Sequence, residues 1–123
     1  MMTVRVRLGI SPIHGIGVFA VDPIPRGTVT WRLSQWDQQF SDTDLAAMDP
    51  AARECIAHHI YRHDDRWVLC FDAGRFMNHD DQPNTDASSP VINTATRDIA
   101  AGEELTCDYA VFDDAFKPSE VAS

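Results

Sequence analysis

Arg75–Thr85 reads RFMNHDDQPNT, and Gly102–Tyr109 reads GEELTCDY. Neither stretch has the composition of routine helix or strand packing. Asn78 and His79 beside the Pro83-Asn84 turn supply fixed hydrogen-bonding groups through side chains and backbone alike, with Asp80 and Asp81 tightening the turn. The Leu105–Tyr109 run has strand alternation and delivers a phenol to its end. That alternation puts Leu105, Cys107 and Tyr109 on one face, and Thr106 and Asp108 on the other.

The segments around these two are short strands. Thr3–Leu8 alternates Val4, Val6 and Leu8 with Arg5 and Arg7, the period of a half-buried strand. Pro12, Gly15 and Gly17 in SPIHGIG interrupt it before Val18–Val21 resumes, and Pro23, Pro25 and Gly27 turn the chain again. Val29 and Trp31 mark a third strand. One helical region is expected, where Ser41–Asp44 precedes Leu45 and Met48, with Asp49 as a cap and Pro50 in the first helical position. Ile60-Tyr61 and Arg66–Phe71 form a hairpin across His63–Asp65, and Val91–Ala95 is a further strand. The class is mainly β with one short helical region, and parallel βαβ units are excluded. Residues 1–116 are expected to form one domain. Residues 117–123, small and polar with one proline, read as a tail. Val111, Phe112 and Phe116 lie among acids and need a place to dock.

The chain has 123 residues, 44% of them hydrophobic, which suffices for one domain core. Its formal net charge of -9 repels nucleic-acid phosphates and anionic membranes and favours a basic protein partner. Cys55, Cys70 and Cys107 are odd in number and lack Cys-x-x-Cys spacing, so neither a structural zinc site nor a disulfide framework is expected. A reducing cytoplasm is the expected location. No apolar run reaches the ~20 residues of a membrane span, and the N-terminus has no signal-peptide core.

Gly15 and Gly17 fit a close backbone approach to a ligand or an ordinary turn. A dinucleotide site is excluded, because the third glycine and the following helix are missing. His79, Asp80, Asp81 and Asp86 are too crowded on one turn for a tetrahedral cage, and no metal is expected there or at His59 and His63. Tyr109 reads as a core tyrosine or as a site residue with a partner for its hydroxyl. Glu103 and Glu104 read as solvated charges or local amide acceptors, on opposite strand faces and so unsuited to a glycosidase pair. Gly-x-Ser-x-Gly is absent, and no cysteine has a motif-defined histidine, which removes hydrolase readings.

Three blocks together, SPIHGIGVFAVDPIPRGT (Ser11–Thr28), RFMNHDDQPNT (Arg75–Thr85) and ATRDIAAGEELTCDY (Ala95–Tyr109), resemble the SET-domain protein lysine methyltransferases. In length the chain is similar to the minimal, stand-alone SET proteins of bacteria and large DNA viruses. The resemblance implies several small curved sheets, with a C-terminal segment threaded pseudoknot-like beneath the loop near Arg75–Asn84. It implies S-adenosyl-L-methionine (AdoMet) as cofactor, contacted at its methionyl part by the backbone of Gly15, Ile16 and Gly17 and hydrogen-bonded by Asn78 and His79. Tyr109 matches the catalytic tyrosine at the inner end of a lysine channel to which Met77, Cys107 and Tyr61 are assigned. The implied reaction is in-line displacement, in which a neutral lysine amine of a protein substrate attacks the sulfonium methyl.

Three departures from the family pattern stand out. Val29–Trp36, VTWRLSQW, replaces the usual Tyr-x-Gly-Glu segment, and Cys107 stands where Tyr or Phe is common. The cysteine-rich segment that often follows is absent, which leaves Phe112 or Phe116 to cover the adenine or the channel. A non-catalytic SET-like module binding AdoMet or a basic peptide is the alternative, and a homodimer is left open.

Overall fold

The computed structural model describes residues 1–116; the tail expected over residues 117–123 lies outside the described residues. In chain order the strands are β1 (Val6–Ile10), β2 (Ile16–Ala20), β3 (Val29–Arg32), β4 (Gln38–Phe40) and β5 (Ile60–His63). They continue with β6 (Arg66–Leu69), β7 (Asn78–His79), β8 (Thr85–Asp86), β9 (Ile92–Ala95) and β10 (Glu104–Cys107). Two short helices, α1 (Asp42–Ala47) and α2 (Pro50–Ile56), lie between β4 and β5.

The strands make three small sheets, ordered β1-β2-β10-β7, β3-β9-β8 and β4-β6-β5. The expected mainly β architecture of several small sheets is therefore present. β10 runs antiparallel to β2 and parallel to β7, with Thr106 opposite Asn78 and Cys107 opposite His79. The loop after β7 continues along the same strand. Asp80 N donates to Cys107 O (3.0 Å), and Asn84 Nδ2 donates to Glu104 O (2.7 Å). Thr106 N donates to Asn84 Oδ1 (2.8 Å), and Thr85 Oγ1 donates to Thr106 O (2.6 Å). The C-terminal strand is thus gripped along its length by the 78–85 segment.

Four expectations need correction. The strand expected over Thr3–Leu8 is displaced to Val6–Ile10, because residues 2 and 3 bond to β3 instead, Thr3 N donating to Thr30 O at 2.9 Å. Leu8 accordingly lies exposed on an edge strand. The second strand begins at Ile16, so Gly17 sits inside it opposite Gly9. The single helical region is two helices: proline disfavours helical backbone in the residue before it, and Asp49 is extended (ψ 140) ahead of Pro50. Asp49 makes no side-chain cap bond, whereas Ser41 and Asp44 cap α1 reciprocally. The last strand stops at Cys107, not Tyr109. Asp108 there accepts from Ala110 N (2.9 Å) and starts a 3-10 turn over Tyr109–Val111.

The core joins the first two sheets through Val18, Ala20, Ile24, Ala95, Ile99 and Leu105. Val18 and Leu105 are opposite each other and have no exposed surface, and burial of such a side chain is worth about 1.5–3 kcal/mol. Both faces of β10 are covered, so Thr106 is buried along with Leu105 and Cys107. The free edge of β5 is capped by the C-terminal segment. Arg62 N donates to Asp113 Oδ1 (2.9 Å), and Asp114 N donates to Arg62 O (2.8 Å).

Candidate active site

The β1–β2 connection is a tight loop, with Ser11 N donating to Gly15 O at 2.8 Å. Ser11 Oγ accepts from Ile13 N (3.0 Å) and His14 N (3.3 Å). Gly15 has φ +46, a conformation that glycine adopts without strain, and its missing Cβ would face open space. Gly17 is constrained by its neighbours instead. A Cβ there would overlap Glu104 Oε2 and come within 3.0 Å of Ser11 Cβ.

Asn78 reaches under this loop. Its Nδ2 donates to His14 O (3.0 Å), Ile16 O (3.3 Å) and Glu104 Oε2 (2.9 Å). Three oxygens around one end fix the amide orientation, which leaves Oδ1 as a free acceptor among the described residues. His79 has both ring nitrogens occupied. Nδ1 accepts from Tyr109 N (3.0 Å), so the proton resides on Nε2, which donates to Asp81 Oδ1 (2.8 Å). Sequence reading expected both side chains to face a ligand. In the structure they chiefly hold the loop and the Tyr109 turn, and among the described residues Asn78 Oδ1 has no partner.

Tyr109 joins the two halves. Its hydroxyl donates to Met77 O (2.5 Å), and its ring centroid lies 5.2 Å from His79, 5.8 Å from Phe112 and 5.6 Å from Phe116. Burial pushes its phenol well above the usual tyrosine value, with the negative charges of Asp113 and Glu104 adding to the rise. Phe112 is wedged between Tyr109 and Tyr61, the latter at 5.0 Å, and Phe116 lies against His79 at 4.9 Å. The rings of Phe112 and Phe116 thus find the docking place that their sequence context demanded, while Val111 stays exposed.

A cleft of about 760 Å³ opens where the three sheets meet. Tyr61, Met77, Cys107 and Tyr109 all line it, so the assigned channel residues and the tyrosine come together. Gly15, Ile16, Gly17, Asn78 and His79 do not; Asn78 holds the glycine loop through His14 O and Ile16 O, and His79 bonds to Tyr109 N. Burial holds Cys107 as a thiol and pushes Cys70, also on the cleft wall, up to about 12. Neither sulfur is a nucleophile at neutral pH. Asp64, Asp65 and Asp113 stand on the cleft's lining. His63, Asp64 and Asp114 come close enough to share a cation, an arrangement common among exposed acids.

Sequence reading missed Glu104. Expected to be solvated or a local amide acceptor, it instead accepts from two distant side chains, Ser11 Oγ at 2.8 Å and Asn78 Nδ2 at 2.9 Å. No local signal marks it, because the contact depends on the β2–β10 register. Glu103 behaves as expected, with its carboxyl held below the usual range by Arg97.

With this geometry in view, the family is shown: the SET-domain family model matches residues 15–110, and the chain belongs to the SET-domain family. A Plasmodium falciparum protein described as a candidate histone methyltransferase superposes with a TM-score of 0.62 at 18% identity, over 88% of this chain and 95% of that one. A humanized mutant of the Chaetomium thermophilum Polycomb Repressive Complex 2, bound to an inhibitor, gives a TM-score of 0.66 at 23% identity, over 90% of this chain. The apo form of that complex, with substitutions in Ezh2, gives a TM-score of 0.70 at 23% identity over 91% of this chain. This chain spans only 15% and 16% of those two chains. No curated protein matches.

Proposed function

We propose that this SET-domain protein is an AdoMet-dependent protein-lysine N-methyltransferase acting on a basic segment of another protein in a reducing cytoplasm. The observation that carries the proposal is the Tyr109 hydroxyl, bonded to Met77 O on the lining of the cleft, with the Tyr109 backbone tied through His79 to the segment whose Asn78 holds the glycine loop. The loop residues suit the cofactor's methionyl part. Asn78 Oδ1 and the Glu104 carboxylate offer acceptors to an ammonium, and the Cβ position of Gly15 is open. When bound, AdoMet supplies an electrophilic methyl group.

The remaining work falls to the chain. Raised by burial and engaged through its proton with Met77 O, Tyr109 stays neutral, and its oxygen lone pairs are left to orient the reacting amine and methyl group. It is no general base at neutral pH. A lysine ammonium has a pKa of about 10.4 in water, and entry into a cleft walled by Trp31, Tyr61, Met77 and Phe112 removes hydration and favours the neutral nucleophile. Cys107, on the lining of the same cleft as Tyr109, is smaller than the ring common at its position. The net charge of -9, with Asp64, Asp65 and Asp113 on the cleft lining, supports a basic substrate.

The test is incubation with methyl-labelled AdoMet and a pool of proteins, followed by hydrolysis and identification of the labelled residue. Label in N-methyl-lysine is the expected result. AdoMet binding with no label in any protein pool would replace this reading by that of a non-catalytic binding module.

A further inference from the structure

We propose that Glu104 is a positioning residue of the Gly15–Gly17 loop and supplies the negative charge that receives the ammonium of the cofactor's methionyl part; this rests on the methyltransferase reading above. Ser11 Oγ donates to both Glu104 oxygens (2.8 and 2.9 Å), and Asn78 Nδ2 donates to Oε2 (2.9 Å). The same Ser11 oxygen orders residues 13 and 14, and the same Asn78 amide holds the carbonyls of His14 and Ile16. One carboxylate therefore ties both braces of the loop. Gly17 lies against it, and a Cβ there would force the carboxylate to move.

Its donors are all neutral. Among the described residues no lysine, arginine or histidine forms an ion pair with Glu104, whereas Glu103, one residue away, is matched by Arg97. A half-buried carboxylate with only neutral donors attracts a cation. With Asn78 Oδ1 also unspent, the loop presents acceptors and a negative charge, a set that recognises an ammonium and repels a second carboxylate.

The experiment is titration calorimetry on the full chain, wild type and Glu104→Gln, with three ligands: AdoMet, S-adenosylhomocysteine and 5′-methylthioadenosine. The first two carry the ammonium; the third lacks it. Gln keeps the size and a carbonyl for Asn78 while removing the charge. Expected is a loss of about tenfold or more for AdoMet and S-adenosylhomocysteine, the worth of one charge-assisted hydrogen bond, and less than about twofold for methylthioadenosine. Equal losses for all three would reduce Glu104 to a structural brace, and no loss would remove it from the site; either outcome overturns the proposal while leaving the methyltransferase reading intact. Failure of wild type to bind AdoMet or its product overturns both. Should the variant not fold, wild type decides with deaminated S-adenosylhomocysteine, which is expected to bind at least about tenfold more weakly than the parent. Equal affinity overturns the proposal.

Discussion

The Tyr109 backbone N–H donates to Nδ1 of His79 at 3.0 Å, so one half of the site bonds directly to the other. The contact fixes the imidazole tautomer and sets the start of the turn from which the Tyr109 ring projects. His79→Ala is therefore expected to lower stability by about 1–3 kcal/mol, the cost of leaving a partly buried donor unpaired. Turnover should fall at least about tenfold, with kcat changing more than the AdoMet KM, because small displacements of a reacting geometry are costly. Steady-state kinetics beside urea unfolding checks this. A change confined to KM would assign His79 to cofactor binding alone.

Asn84 is almost fully buried and bonds to β10 at two backbone groups, Glu104 O and Thr106 N. Asn84→Ala leaves both unpaired. The expected loss is about 3 kcal/mol or more, at roughly 1–3 kcal/mol for each buried group. That is a large part of a typical domain's stability of about 5–15 kcal/mol. The urea midpoint should drop accordingly, and a midpoint equal to wild type would show that the loop does not grip the strand.

Asp113 has its carboxyl pKa raised, first by burial and then by the charge of Asp114, despite accepting from Arg62 N and Ala115 N. A carboxyl with a higher pKa in the folded state binds its proton more tightly there. Its ionisation therefore opposes folding above that raised value, and the penalty fades as pH falls toward the ordinary aspartate value near 3.9. Asp113→Asn keeps an acceptor for both backbone donors and removes the charge. Thermal unfolding should show the variant more stable than wild type at pH 7, with the difference shrinking on acidification. A difference independent of pH would show that its source is not this charge.

The fold class was legible because SPIHGIG, the Asn78-His79 turn and the GEELTCDY run carry both turn chemistry and strand alternation. Met77, Cys107 and Tyr61, assigned to a channel with Tyr109 through resemblance, line one cleft with it. Other features needed coordinates. β4, reading Gln-Gln-Phe, has no alternation and is a strand only because β6 pairs with it. The end of β10 is set by Asp108 turning back on Ala110 N, which competes with an otherwise sound strand pattern. Glu104 looked like a surface acid because a cross-strand neighbour cannot be read before the register is known.

The central claim is that the glycine loop, the Asn78-His79 segment and Tyr109 form one methyl-transfer site open to the cleft. A co-crystal structure with S-adenosylhomocysteine tests it most directly. The predicted result has the methionyl part on Gly15–Gly17, with its ammonium facing Asn78 and Glu104, and the sulfur directed past the Tyr109 hydroxyl into the cleft lined by Met77 and Tyr61. A ligand bound elsewhere, or a Tyr109 ring walled off from both sulfur and cleft, would contradict it.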